Sequence, residues 1–186
     1  MRLLLATVLL MAGAGAQAKP LNYDYAYLKS GESHVNGRSF RNDAFGAYYE
    51  IGNNLHIFGS ISDAGSYGHP ELQNSRAMRL GLGGHWMIGS DTMFAIEGAL
   101  LQGRYRWASG AKFMDTGWTT IAEFRHRFAK DWEVIAAATY TDVFGWQTRE
   151  VAIGPVWHIN DTFAVGAFYR HLDNSKSLDF TVRTYY

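Results

Sequence analysis

The chain has 186 residues, and its 17 basic side chains balance 17 acidic ones, so no net positive charge argues for a nucleic-acid partner. With no cysteine, 20 glycines, only 3 prolines and 15% aromatic residues, it is not a disulfide-stapled secreted scaffold and it favours strands over helices. Hydrophobic residues make up 47%, yet the mean hydropathy is −0.18.

Residues 1–18 read as a Sec-type signal peptide. Arg2 supplies the positive start, Leu3 to Ala12 the apolar stretch, and Ala16-Gln17-Ala18 the small-residue cleavage site. The apolar run is too short to span a bilayer comfortably, so cleavage rather than anchoring is expected, with the mature chain starting at Lys19. Losing Arg2 leaves one more acidic than basic residue, and nothing after Ala18 resembles a transmembrane helix. Residues 19–186 are then one domain bound for a bacterial envelope.

Four tight polar turns punctuate that domain: Gly52–Asn54, Gly89–Asp91, Ala129–Asp131 and Asn160-Asp161, each carrying the Gly, Asn or Asp that short hairpins require. Between them lie looser connections near 30–38, 63–74, 107–112, 142–146 and 173–176. The spacing predicts ten strands over 21–29, 39–51, 55–63, 76–88, 92–106, 113–128, 132–142, 147–159, 162–172 and 177–186. Eight strands is the alternative, should the weakest hairpin stand outside the membrane.

Nearly every segment alternates. Leu55, Ile57, Gly59 and Ile61 oppose His56, Phe58, Ser60 and Ser62; Phe163, Val165, Ala167 and Tyr169 oppose Ala164, Gly166, Phe168 and Arg170. The segment 92–106 is untidy at Leu100-Leu101, where a bulge is expected. Aromatics flank the tight turns (Trp86 and Phe94, Phe128 and Trp132, Trp157 and Phe163), and a second set, Tyr25, Tyr27, Trp118, Tyr140 and Tyr169, falls toward the loop side. Two aromatic belts around an apolar band mark a transmembrane barrel. Lipid offers no partners for backbone groups, so the sheet must close. The expected fold is all-β: a closed antiparallel up-and-down transmembrane β-barrel.

The opposite face would line the lumen. It carries an ion network of Glu50, Arg79, Glu97, Glu123, Arg125, Glu133, Glu150, Arg170 and Arg183, together with Asp24, Arg127, Asp179, His56 and His85. A barrel this small is narrow enough for side chains to fill, so these charges are expected to plug it, with a narrow polar pore as the alternative. Trp107, Phe113, Phe144 and Trp146 sit near loop ends and read as belt aromatics, or else as a surface for an unknown ligand.

Catalysis is not expected. "HLDN" at His171–Asn174 resembles the His-x-Ser-Asn of outer-membrane lipid A deacylases, but Asp173 stands where the nucleophilic serine belongs, and Ser175 lies two residues further on. An outer-membrane protease needs paired acids and histidines on tall loops; here His69 and Asp63 share one turn-rich loop with Gly65, Gly68 and Pro70. The seven histidines show no ligand spacing, and "RLGLGG" at Arg79–Gly84 alternates as a strand without opening a helix, so neither a metal nor another cofactor is expected.

The run of a signal peptide, "LNYDYAYLKSG", "NLHIFGSIS" and "MRLGLGGHWMIGSDTMFAIEGAL" resembles the small outer membrane barrels regulated by diffusible signal factor and named for a proposed activator of plant immunity. That resemblance implies an outer membrane barrel without enzymatic activity, linked to biofilm, motility or virulence. The patterned end "KSLDFTVRTYY" resembles the last strands of outer membrane barrels in general. By that likeness Phe180, Val182 and Tyr186 form an outward face read by the barrel assembly machinery. The expected partners are that machinery and outer membrane lipids, around a monomer.

Overall fold

A computed structural model describes residues 21–35, 38–64, 72–107, 109–143, 145–173 and 175–186. The signal peptide at 1–18, and with it His69, Phe144 and Asn174, lie outside the described residues.

Ten antiparallel strands close into one barrel, each bonded to its sequence neighbours and the last to the first. They are β1 (Tyr25–Val35), β2 (Arg38–Gly52), β3 (Leu55–Ala64), β4 (Leu72–Met87), β5 (Thr92–Trp107), β6 (Lys112–Ala129), β7 (Trp132–Val143), β8 (Trp146–His158), β9 (Phe163–Leu172) and β10 (Ser175–Tyr185). The four tight turns fall at one end of the barrel, where Gly89 takes a φ of 77° that side chains other than glycine rarely adopt. At Asn160 the side-chain Oδ1 accepts from the backbone N–H groups of Thr162 (2.9 Å) and Phe163 (2.8 Å), which folds the chain back without a glycine.

Two expectations are corrected. The first strand begins at Tyr25 rather than at residue 21, because the preceding residues leave the wall and enter the lumen. There is also no bulge at Leu100-Leu101: β5 keeps register with β4 and β6 through both residues. Leu100 is 76% exposed and Leu101 only 2%, so two consecutive leucines serve opposite faces of an unbroken strand. The register shifts of β2 with β3 and of β6 with β7 lie beside tight turns, at Glu50/Gly52 and Arg127/Ala129.

The outward face is apolar for a defined height. On β2 the run Ile51, Tyr49, Ala47, Phe45 ends at Asp43; on β4 Trp86, Gly84, Leu82, Leu80, Met78 ends at Arg76; on β7 Trp132, Val134, Ala136, Ala138, Tyr140 ends at Asp142. Each run spans roughly nine residues, the length a tilted strand needs to cross a bilayer. The band is edged at the tight-turn end by Trp86 against Phe94 (6.4 Å between ring centroids) and Trp132 against Trp157 (6.1 Å), and at the loop end by Trp118 against Tyr140 (5.1 Å). These are the girdles of an outer membrane barrel.

Tyr25 and Tyr27 are not part of a girdle. Odd-numbered residues of β1 face inward, and Tyr25 is buried beside Tyr185 and Tyr48. Trp107, Phe113 and Trp146 also stand apart from the belt. They lie past the outward polar residues Gln102, Thr116 and Arg149 and touch one another at the rim, with Trp107 5.9 Å from Trp146 and 6.4 Å from Phe113.

Candidate functional site in the barrel lumen

At the tight-turn end the lumen is filled. The residues ahead of β1 fold into it, so that Leu21, Tyr23 and Tyr25 join Met93, Ala95, Ile135, Val156, Ala164 and Tyr185 in one buried cluster. Tyr23 crosses the whole interior: its hydroxyl donates to Glu123 on β6 (2.8 Å), while β6 stands five strands from β1 on the opposite wall. Arg125, also on β6, donates to the carbonyl of Asn22 (3.0 Å). The Tyr23 backbone N–H donates to Glu50 Oε1 (3.0 Å), so both walls hold the same short segment. Asp24 was expected among the lumen charges, but it precedes β1, outside the inward series, and its carboxylate accepts from the Glu50 backbone N–H (2.8 Å).

Histidines and acids pack around this plug. His56 Nε2 lies 3.1 Å from Glu97 Oε1, and its Nδ1 is 3.3 Å from His85 Nδ1. His85 Nε2 is 3.7 Å from Glu50 Oε1, and the Tyr48 hydroxyl reaches Glu97 Oε2 at 3.5 Å. Glycine makes the space: a Cβ on Gly83 would fall 2.2 Å from His56 Nε2, and one on Gly46 would fall 2.5 Å from the Tyr27 ring. Among the described residues no group of three His, Cys, Asp or Glu side chains could hold a metal ion.

Two ion clusters complete the interior. Arg125 binds Glu133 through Nε (2.5 Å) and Nη2 (3.3 Å), and His158 Nε2 reaches Glu133 Oε2 at 3.0 Å. Higher up, Arg170 forks onto Glu150, with Nε at 3.0 Å from Oε1 and Nη2 on Oε2, while its Nη1 holds Asp179 at 2.7 Å. Lys29 approaches the same Asp179 oxygen at 3.6 Å.

The nine residues of the expected network therefore divide. Arg125 with Glu133, and Arg170 with Glu150, come together as ion pairs. Glu50, Glu97 and Glu123 meet histidines, tyrosines and backbone instead of arginines. Arg183 lies with its guanidinium carbon 4.8 Å over the Tyr25 ring. Arg79 has no carboxylate within 4.0 Å among the described residues, and its buried Nε has no hydrogen-bond partner. Sequence reasoning missed Tyr23, Lys29 and His158. His158 shares the inward parity of Val156, which was readable; the crossing of Tyr23 depends on a chain path that alternation does not encode.

Above the plug, toward the loop end, a cavity of about 120 Å³ remains, lined by the cations Lys29, Arg79 and Arg170, the acids Asp43, Asp63 and Glu150, and a wall of serine and threonine residues that includes Ser175. His171 takes an outward position and is exposed, whereas Ser175 is buried and lines this cavity, so the two stand on opposite sides of the wall. Asp173 turns its carboxylate to the Arg149 backbone N–H (3.2 Å), and Asp63 pairs with Arg76 (2.9 Å).

The sequence matches no family model and no curated protein. In three dimensions the chain is similar to the NanC porin, with TM-score 0.54 and 11% identity over 87% of this chain and 99% of that one. It is similar to the KdgM porin, with TM-score 0.53 and 10% identity over 86% and 99%. Neisserial surface protein A superposes with TM-score 0.47 and 13% identity over 93% and 100%. At such identities the likeness is one of fold: this chain has the small β-barrel architecture of Gram-negative outer membrane proteins.

Proposed function

We propose that the protein is a monomeric outer membrane β-barrel, sealed rather than conductive, with a structural or envelope-interaction role and no catalysis. The observation that carries this reading is the segment Leu21–Tyr23, which folds into the lumen and is bonded to the opposite wall by Glu123 and Arg125. A pore would need a continuous polar path, and here nine buried side chains of the apolar and aromatic cluster occupy the tight-turn end. The neighbouring folds named porins supply the architecture; the filled interior favours closure over their named activity.

The apolar band and its girdles support lipid as the surrounding partner. Phe180, Val182 and Tyr186 point outward on the strand that closes the barrel, which suits a face presented to the assembly machinery. The resemblance to barrels regulated by diffusible signal factor extends the proposal to biofilm, motility or virulence.

The test is direct. Folded protein should migrate differently on a gel with and without boiling, and should give no stepwise current in planar bilayers. Stable single-channel conductance from the wild-type protein would overturn the sealed-barrel reading.

A further inference from the structure

The outward face above the apolar band is unevenly charged. On β5 the polar edge at Gln102 is followed by Arg104 and Arg106, both outward and exposed. The register sets Arg76 of β4 directly opposite Arg104, and Lys112 of β6 directly opposite Arg106, again outward and exposed. Cations of three adjacent strands thus form one patch at the loop end. Asp63 on β3 answers one of them, binding Arg76 at 2.9 Å. Arg104, Arg106 and Lys112 have no carboxylate within 4.0 Å among the described residues. Asp115, the acid of β6 at this height, stands opposite Gly103 in the inward series and accepts from the Thr116 backbone N–H (2.8 Å). Elsewhere on the rim, exposed cations are bound, as Arg41 is by Asp43 (2.9 Å), or stand on separate strands, as Arg149 does on β8 and Lys176 on β10. Like charges directly opposite each other destabilise a sheet. An anion seated between each pair removes that penalty.

Height identifies the anion. Leu100 is the last apolar outward residue of β5, and it pairs with Trp118 of the loop-end girdle. Successive outward levels are two residues apart, about 7 Å along a strand and about 5 Å along the barrel axis at an ordinary tilt. The Arg76–Arg104 and Arg106–Lys112 pairs therefore stand about 10 and 15 Å above the girdle. The headgroups of a phospholipid leaflet extend only about 5–8 Å beyond the hydrocarbon, so a single layer of phosphodiesters does not meet both pairs. A headgroup that carries phosphates at more than one height on a saccharide does. The longer connections of such barrels face the cell exterior, which places the patch on the outer leaflet.

We infer that the outward patch on β4, β5 and β6 binds a phosphorylated glycolipid of the outer leaflet, with phosphates held between Arg76 and Arg104 and between Arg106 and Lys112. The arginine forks match phosphate oxygens bidentately, and Lys112 adds a point charge. The inference rests on the reading of the chain as an outer membrane barrel, and it names the lipid chemistry met by one arc of its surface.

The experiment is thermophoretic titration of the folded full chain in detergent with three probes: a phosphorylated rough-type lipopolysaccharide, the same lipopolysaccharide after chemical dephosphorylation, and phosphatidylglycerol. The first should bind, and the other two should bind at least about tenfold more weakly. Arg104→Gln with Arg106→Gln should weaken the first probe by about tenfold or more, while Arg104→Lys with Arg106→Lys, keeping the charge, should lose less. Arg149→Gln with Lys176→Gln, which removes two exposed cations outside the patch, should leave the affinity unchanged. Unboiled gel mobility reports whether each variant is folded, and if the glutamine pair on β5 does not fold, the three probes on wild-type protein still decide. Absence of binding, equal binding of the dephosphorylated probe or of phosphatidylglycerol, full affinity in the folded glutamine pair on β5, or an equal loss on removing Arg149 and Lys176 would overturn the site. Because the site is read as affinity in detergent, its failure is separate from that of the barrel reading, which is read as heat-modifiable migration and current.

Discussion

Tyr23 lies flat on His56, with ring centroids 3.9 Å apart and planes within 10° of parallel. One residue precedes the first strand and the other sits on the third, so the stack joins the inserted segment to the wall. It also sits between two acids, since Tyr23 donates to Glu123 and His56 faces Glu97.

Tyr23→Ala should therefore loosen the plug. Loss of a fully buried aromatic costs about 3–5 kcal/mol, and Glu123 loses its donor as well. Tyr23→Phe keeps the stack and gives up only the hydroxyl, at about 1–3 kcal/mol. Urea unfolding in detergent should rank the two in that order, and bilayer recordings should show current for Tyr23→Ala but not for Tyr23→Phe. Silent, wild-type-stable Tyr23→Ala would mean that the segment does not seal the barrel.

Glu133 neutralises Arg125 and is reached by His158, all in the filled end of the lumen. Glu133→Ala strands a buried guanidinium, and breaking such a pair costs about 3–5 kcal/mol. Replacing both partners, Arg125→Met with Glu133→Leu, should restore much of that loss because no charge is left alone. Denaturant midpoints of the single and double variants measure it; a double variant worse than the single would contradict the pairing.

Much of this architecture was legible, and the reason is the period of a strand. Tight turns at Gly52–Asn54 and Gly89–Asp91 marked the hairpins, and alternation separated Leu178, Phe180 and Val182 from Asp179 and Arg183, as the burial pattern of β10 has them. Alternation assigns a face but not a partner across the lumen. Arg125 and Glu133 were within reach because β6 and β7 are adjacent. That Tyr23 would meet Glu123, or that Arg79 would have no carboxylate within 4.0 Å among the described residues, depends on barrel radius and stagger, which no local pattern carries. Tyr25 and Tyr27 misled for a related reason: aromatics that fill a plug look, in sequence, like aromatics of a girdle.

Leu100 and Gln102 test the position of the bilayer. Both point outward on β5, Leu100 within the apolar band and Gln102 at its polar edge. Leu100→Arg places a charge at the last apolar level of the band and should cost more than Gln102→Arg, which near the interface should cost about 0–1 kcal/mol. Equilibrium folding into lipid vesicles separates the two. Equal effects would show that the apolar band is not the part immersed in lipid.

Tyr185 and Tyr186 test the two faces where the barrel closes. Tyr186 is outward, and its hydroxyl donates to the Tyr48 carbonyl at 2.5 Å. Tyr185 is buried beside Tyr25 and His158. Tyr185→Asp forces a carboxylate into the filled lumen, a desolvation cost that acts on folding itself. It should lower the folded fraction both in cells and on refolding in detergent. Tyr186→Asp leaves the lumen intact, so it should refold in detergent nearly as the wild type does. If the outward face of β10 is what the assembly machinery reads, the same variant should still assemble poorly in cells. Heat-modifiability of protein from both sources measures this, and normal assembly of Tyr186→Asp in cells would remove Tyr186 from the signal.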